Sequence, residues 1–148
     1  MVKKEKYFEG GTKILQKKVY SYRNPWQTVY HMYINLCYFR IWSTEDWEEI
    51  KQLKHPSAVR DFSVHSSGKL LLTVSSDKTL RAWDLTKGRP AFTKSFPVQP
   101  ERVIWGPEGK RYILQLTARQ IQVQTLEESK EKVQIESKDP IMEIQFYT

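Results

Sequence analysis

Cysteine is almost missing from this chain. Cys37 is the only one in 148 residues, so no internal disulfide can form and nothing points to an oxidising compartment. Long apolar runs are missing as well. The longest, residues 28–39, is interrupted by His31 and Asn35 and falls short of the roughly 18 or more residues that a bilayer span requires. The basic N-terminus leads into no apolar segment with a small-residue cleavage site, which argues against a secretory signal. The expectation is a soluble intracellular protein with no membrane contact. Histidine is scarce too: His31 and His65, taken with Cys37, show none of the C-x2-C or H-x3-H spacings of a metal site. The six glycines form no phosphate-binding loop, so no cofactor is implied.

What the chain does have is aromatic side chains, 13% of residues, in a sequence 39% hydrophobic. That balance suits one globular core, and aromatics favour the half-buried pleated surface of strands, so the first expectation is all-β. The net charge of +7 would ordinarily suggest phosphate contacts. Its placement weakens that idea: residues 1–36 hold seven Lys and Arg against two Glu, whereas the rest of the chain holds 17 against 15.

Shifted by 41 residues, the chain aligns with itself. Val64-His65-Ser66-Ser67-Gly68-Lys69 falls on Trp105-Gly106-Pro107-Glu108-Gly109-Lys110 without a gap. The apolar pair Phe62 and Val64 becomes Val103 and Trp105, then Ile144 and Phe146. Backwards, Arg81, Ala82 and Trp83 fall on Arg40, Ile41 and Trp42. A period of about 40–45 residues, with several short strands per unit, is the signature of propeller blades. The pattern predicts strands over 59–64, 69–74, 80–84 and 89–96, and again over 101–105, 111–116, 120–126 and 132–136.

His55, Ser75-Ser76-Asp77-Lys78-Thr79 and Trp83-Asp84 stand in the order and spacing of a WD40 repeat, and the segment closely resembles that family. The resemblance implies a hydrogen-bonded structural tetrad of His55, Ser75, Asp77 and Trp83, with Trp83 and Asp84 as the WD dipeptide. A buried indole N–H, hydroxyl and imidazole each need a partner, which gives such a tetrad a physical basis. Ser, His and Asp are also the residue types of an acyl-transfer triad. Ser75, however, lies mid-strand rather than on an exposed strained turn, so no catalytic residue is assigned and no enzyme is expected. In the next unit Phe96, Leu116, Ala118 and Gln124-Thr125 replace His55, Ser75, Asp77 and Trp-Asp. That unit keeps the apolar alternation and loses the tetrad.

These units give an incomplete propeller of about two full blades with half-blades at each end, not a closed ring. Residues 38–54 are read as the end of a blade, 55–96 as an intact repeat, 97–138 as a degenerate blade and 139–148 as the first strand of a truncated one. About 11 strands are too few for the roughly 4–8 four-stranded blades of a closed ring, so self-association of the isolated chain is expected. Residues 1–37 do not match the repeat. They form either a basic arm, with Tyr20, Tyr22 and Trp26 able to stack on RNA, or sequence outside the family's reading frame, as from a mis-set exon boundary; the second is preferred. The run 28–39 nevertheless has the β-branched and aromatic content to supply improvised strands.

Residues 41–126 further resemble a branch of the family for which the implied setting is large ribosomal subunit assembly in the nucleus and nucleolus, with pre-ribosomal assembly factors as partners. An implied alternative is restraint of a p21-activated kinase, and a third is a truncated gene product without function. Lys87, Arg89, Arg102, Lys110 and Arg119 are expected at blade rims, where a rigid ring presents loops to partners.

Overall fold

The computed structural model describes residues 20–23, 29–35, 37–43, 46, 48–126 and 133–146. It divides into two compact units, residues 1–59 and 60–148. All twelve regular elements among the described residues are strands, grouped in three four-stranded sheets.

The first unit holds β1 (Tyr20–Arg23), β2 (Val29–Asn35), β3 (Tyr38–Ser43) and β4 (Glu49–Lys54), paired in sequence order. Phe39, Ile41 and Leu53 are buried hydrophobics of β3 and β4. The half-blade expected at this end is therefore a full four-stranded sheet. The boundary expected at 37/38 falls inside it, because β2 pairs with β3 from Tyr30↔Ser43 to Asn35↔Tyr38. The aromatic and β-branched residues of 29–35 satisfy a ladder without any repeat motif, since pairing needs backbone groups and strand-compatible side chains rather than a particular text.

In the second sheet β5 (Val59–Val64), β6 (Leu70–Ser75), β7 (Thr79–Asp84) and β8 (Arg89–Ser95) again lie in sequence order. The third holds β9 (Arg102–Trp105), β10 (Arg111–Thr117), β11 (Gln120–Thr125) and β12 (Val133–Glu136). All eight strands expected from the 41-residue pattern are present within a residue or two at each end. The shared turn chemistry is visible in the backbone. The His65 N–H bonds to the Leu70 carbonyl and the Gly68 N–H to the His65 carbonyl, at 2.9 and 2.8 Å; Gly106, Arg111 and Gly109 repeat the pattern at 2.8 and 2.9 Å. Gly68 and Gly109 take φ of 69° and 68°, the left-handed conformation that glycine adopts without a Cβ clash.

The two sheets of this unit pack face to face. Leu72, Val74, Leu80 and Ala82 meet Val103, Trp105, Tyr112, Leu114 and Leu116 in one buried cluster. β6 is buried along nearly its whole length, while β8 and β12 are the exposed outer strands. Residues 141–146, expected as a further strand, have no strand assignment. Backbone in the extended state becomes a strand only against a ladder partner, and no neighbouring strand for this segment is found among the described residues. It is held by isolated bonds, Ile141 N–H to the Ala118 carbonyl at 2.6 Å and the Arg102 guanidinium to the Met142 carbonyl at 3.5 Å.

Candidate functional site

Alternation along β6 sends Leu71, Thr73 and Ser75 to one face, and the register sets Thr73 opposite Arg81 and Ser75 opposite Thr79. Trp83 lies opposite Leu71, so its indole reaches diagonally to Thr73: Nε1–H donates to Thr73 Oγ1 at 3.0 Å. The expected partner, Ser75, lies two residues farther along the strand, out of that diagonal's reach. Thr73 is thus the hydroxyl that sequence reasoning missed. It shares period-two parity with Ser75, and parity alone cannot choose between them.

Ser75 is committed elsewhere. It is 1% exposed, and its hydroxyl donates to Asp77 Oδ1. Thr79 donates to the same oxygen at 2.6 Å. Arg81 completes the group with a forked pair to Asp77, Nη2 to Oδ2 at 2.7 Å and Nη1 to Oδ1 at 3.4 Å, and it also donates to Ser75 and Thr79. Burial tends to raise the Asp77 pKa, but hydrogen bonds from Arg81, Ser75 and Thr79, together with the Arg81 charge, outweigh it and hold the carboxyl well below the usual carboxylate range. This network spans the tight turn between β6 and β7, where Lys78 takes a φ of 63°. A hydroxyl whose proton is held by a carboxylate fixes that turn.

Of the four tetrad residues, Ser75 and Asp77 are in direct contact, and Trp83 joins the same face through Thr73. His55 lies in the first unit, 1% exposed, with its N–H bonded to the Cys37 carbonyl at 2.7 Å and Nδ1 3.2 Å from the Leu53 carbonyl. Asp84, second of the WD pair, accepts from the Thr86 hydroxyl and from the Thr86 and Lys87 backbone N–H groups. The Thr86 hydroxyl leads in lowering its pKa. Both residues of the dipeptide therefore do structural work, one inside the sheet and one in the turn to β8.

The degenerate blade rebuilds its interior with other groups. Gln124, in Trp83's place, is 2% exposed. Its Oε1 accepts from the Tyr112 hydroxyl at 3.1 Å and from Lys94 of the preceding sheet at 3.0 Å, while Nε2 donates to Gln122 at 2.8 Å. Desolvation pushes the Tyr112 phenol up to about 12. Two further links between these sheets were not foreseen. Asp61 Oδ2 accepts the Val103 N–H at 3.0 Å and Ser63 Oγ the Trp105 N–H at 2.9 Å. His65 sits edge-on to the Trp105 ring with centroids 4.8 Å apart and contacts the Gly109 carbonyl through Nε2 at 2.9 Å. Its Nδ1 accepts the Ser67 N–H at 3.0 Å, which makes Nε2 the protonated, donating nitrogen of the neutral ring.

The expected rim residues Lys87, Arg89, Arg102, Lys110 and Arg119 are all exposed. No group of three or more potential metal ligands occurs among the described residues.

Three four-stranded antiparallel sheets in chain order, two of them repeating at 41 residues, make this chain a partial β-propeller, short of the roughly 4–8 blades of a closed ring. Among known proteins it resembles the p21-activated protein kinase-interacting proteins. It is 48% identical over 73 residues to p21-activated protein kinase-interacting protein 1-like of Danio rerio, covering 49% of this chain and 20% of that protein. To the Gallus gallus protein of the same name it is 44% identical over 78 residues, covering 52% and 21%. The chain thus matches about a fifth of the length of these relatives. In structure it is similar to the β-propeller domain of Cps50 (Swd1) from Myceliophteria thermophila, with a TM-score of 0.61 at 16% identity, over 72% of this chain and 35% of that one. No protein-family model matches the chain.

Proposed function

We propose that this chain is a non-catalytic scaffold that binds other proteins through loops held at the rims of its blades. The observation that carries this reading is the investment of its polar side chains in rigidity. Asp77, Arg81, Ser75 and Thr79 are committed to one another, Trp83 to Thr73 and Gln124 to Tyr112, Lys94 and Gln122, while the charged residues Lys87, Arg89, Lys110 and Arg119 stand exposed at turns and strand ends. A rigid frame with exposed turns suits recognition of a protein surface at low ordering cost.

The names of the similar proteins favour a p21-activated kinase as the partner. The second reading, a part in large ribosomal subunit assembly in the nucleolus, is supported by the sequence resemblance and by the basic excess in residues 1–36, which suits an RNA-rich particle. Residues 1–19, 24–28 and 36 of that segment, Trp26 among them, lie outside the described residues. Sucrose-gradient fractionation of the source cells, with an antibody against 60–90, distinguishes the two. Co-sedimentation with large-subunit precursors supports the ribosomal reading. Sedimentation with the kinase, lost when the kinase is depleted, supports the first. A protein that stays at the top of the gradient, and that purified kinase fails to retain, overturns both.

A further inference from the structure

In the second sheet β5 and β7 run the same way, so the turns that follow them leave one edge of it. The turn from β9 to β10 adjoins that edge. The Leu85 N–H donates to the Lys69 carbonyl at 2.8 Å, and His65 Nε2 donates to the Gly109 carbonyl at 2.9 Å. Residues 84–89, 65–69 and 106–111 thereby form one ridge across the second and third sheets. Each turn is also closed from within, by the N–H groups of Gly68, Gly88 and Gly109 on the carbonyls of His65, Asp84 and Gly106. The ridge keeps its shape without a ligand. Neighbouring blades of a propeller cover faces, whereas this is an edge, so its exposure does not depend on what lies beside the third sheet.

The ridge is basic. It carries Lys69, Lys87, Arg89, Lys110 and Arg111, all exposed, against Asp84 and Glu108. The opposite edge, residues 75–79, 95–102 and 117–120, is closer to balance, with Lys78, Arg102 and Arg119 against Asp77 and Glu101. Asp84 is occupied inside its own turn, accepting from the Thr86 hydroxyl and from the Thr86 and Lys87 N–H groups. Lys87 reaches Asp84 at 3.8 Å and Arg111 reaches Glu108 at 3.9 Å, long exposed pairs that water screens. Lys69, Arg89 and Lys110 pair with no carboxylate among the described residues.

We propose that this ridge binds an acidic segment of a partner protein, an extended stretch rich in Asp and Glu that crosses the three turns. The proposal rests on the scaffold reading and names the chemistry of the partner. Unpaired cations on a fixed frame favour an anionic chain, since charge complementarity steers encounter and sets register. Two features favour a peptide over RNA. No aromatic ring lies open on the ridge for a base to stack on: Trp83, Trp105 and Tyr112 beneath it are buried, and His65 stands edge-on to Trp105. In addition, exposed Glu108 stands among the cations, where it repels a continuous phosphate backbone; a peptide meets it with an uncharged or basic residue.

The test is fluorescence anisotropy of a labelled peptide of alternating Glu and Gly, and of a labelled oligouridylate, titrated with the purified full chain. Two variants of equal net charge are titrated beside it: Arg89→Glu/Lys110→Glu on the ridge and Arg119→Glu/Lys138→Glu on the opposite edge. All four side chains are exposed, so both variants should fold, as an unchanged circular dichroism spectrum and melting midpoint would confirm; Arg89→Gln/Lys110→Gln is the milder second ridge variant. The expected result is peptide binding whose dissociation constant rises about tenfold or more in the ridge variant and stays near that of the parent in the other. Equal weakening in both variants would reduce the effect to net charge and overturn the proposal, as would a parent chain that leaves the peptide free. Tighter binding of the oligouridylate, lost in the ridge variant, would overturn it in favour of a nucleic-acid surface. Retention of purified p21-activated kinase by a chain that does not bind the peptide would overturn the ridge alone and leave the scaffold reading standing.

Discussion

At the residue scale, one carboxylate organises the turn between β6 and β7. Asp77 is held ionised by Arg81, Ser75 and Thr79, and its depressed pKa fixes the sign of the acid response. An unfolded Asp titrates near 3.9, so the stabilisation is complete above about pH 5 and is lost as pH falls through the depressed folded value. Asp77→Asn should lower stability near neutral pH and flatten that acid limb, as urea unfolding at pH 3 and pH 7 would show; an unchanged slope would mean that the network contributes nothing. Tyr112 has the opposite sign. Its raised pKa contributes stability below about pH 10 that is lost as pH climbs toward about 12, and Tyr112→Phe should remove that alkaline loss. The two hydroxyls of β6 are separable as well. Thr73→Val removes the hydroxyl that accepts from the Trp83 indole in a buried setting and should cost about 1–3 kcal/mol, and Trp83→Phe in that background should recover part of it. Had Ser75 been the indole's partner, Ser75→Ala rather than Thr73→Val would couple to Trp83.

At the element scale, two turns carry the tightest steric demands. A Cβ on Gly109 would lie 2.2 Å from His65 Nε2 and would also sit at a positive φ. Gly109→Ala should therefore lower stability by more than the roughly 1–2 kcal/mol of the left-handed conformation alone, and His65→Ala should relieve the excess in a double-mutant cycle. Simple additivity of the two changes would show that the ring and the turn do not meet. Lys78 occupies the same backbone region with a side chain that disfavours it. Lys78→Asn should raise stability by a few tenths of a kcal/mol, as the midpoint of thermal unfolding would report.

The strands of the second unit were legible in the sequence because a period of two nested within a period of 41 constrains position and type together. Asp77, Trp83 and the glycine turns were legible because each type has a distinct structural use. Thr73 was not, since two hydroxyls on one face of a strand look alike until the cross-strand register is known. Gln124 was read as decay of the motif, whereas it is a replacement: its two partners come from 12 and 30 residues away, and no local pattern announces them. The ladder formed by 20–23 and 29–35 was only half visible, as strand-compatible composition without a repeat to place it.

At the scale of the whole molecule, the second and third sheets stack face to face, by apolar rows and by a few brackets such as Asp61 to the Val103 N–H. The bracket does not recur, because Arg102 and Ile104 stand where Asp61 and Ser63 would be. The third sheet thus offers no such side-chain acceptor from those positions. Self-association, expected of an incomplete ring, should make stability rise with protein concentration, since association stabilises the folded state by mass action. Calorimetric scans at two concentrations tenfold apart would show this as a higher midpoint in the more concentrated sample; coincident midpoints would speak against it.

The claim that the rims are a protein-binding surface is most directly tested by lysine cross-linking in intact source cells, read by mass spectrometry at Lys69, Lys87 and Lys110, all exposed. The scaffold account predicts cross-links from these lysines to a p21-activated kinase or to components of one large-subunit precursor. Cross-links no more frequent than those of a chain unfolded by Asp77→Ala and Trp83→Ala together would contradict it.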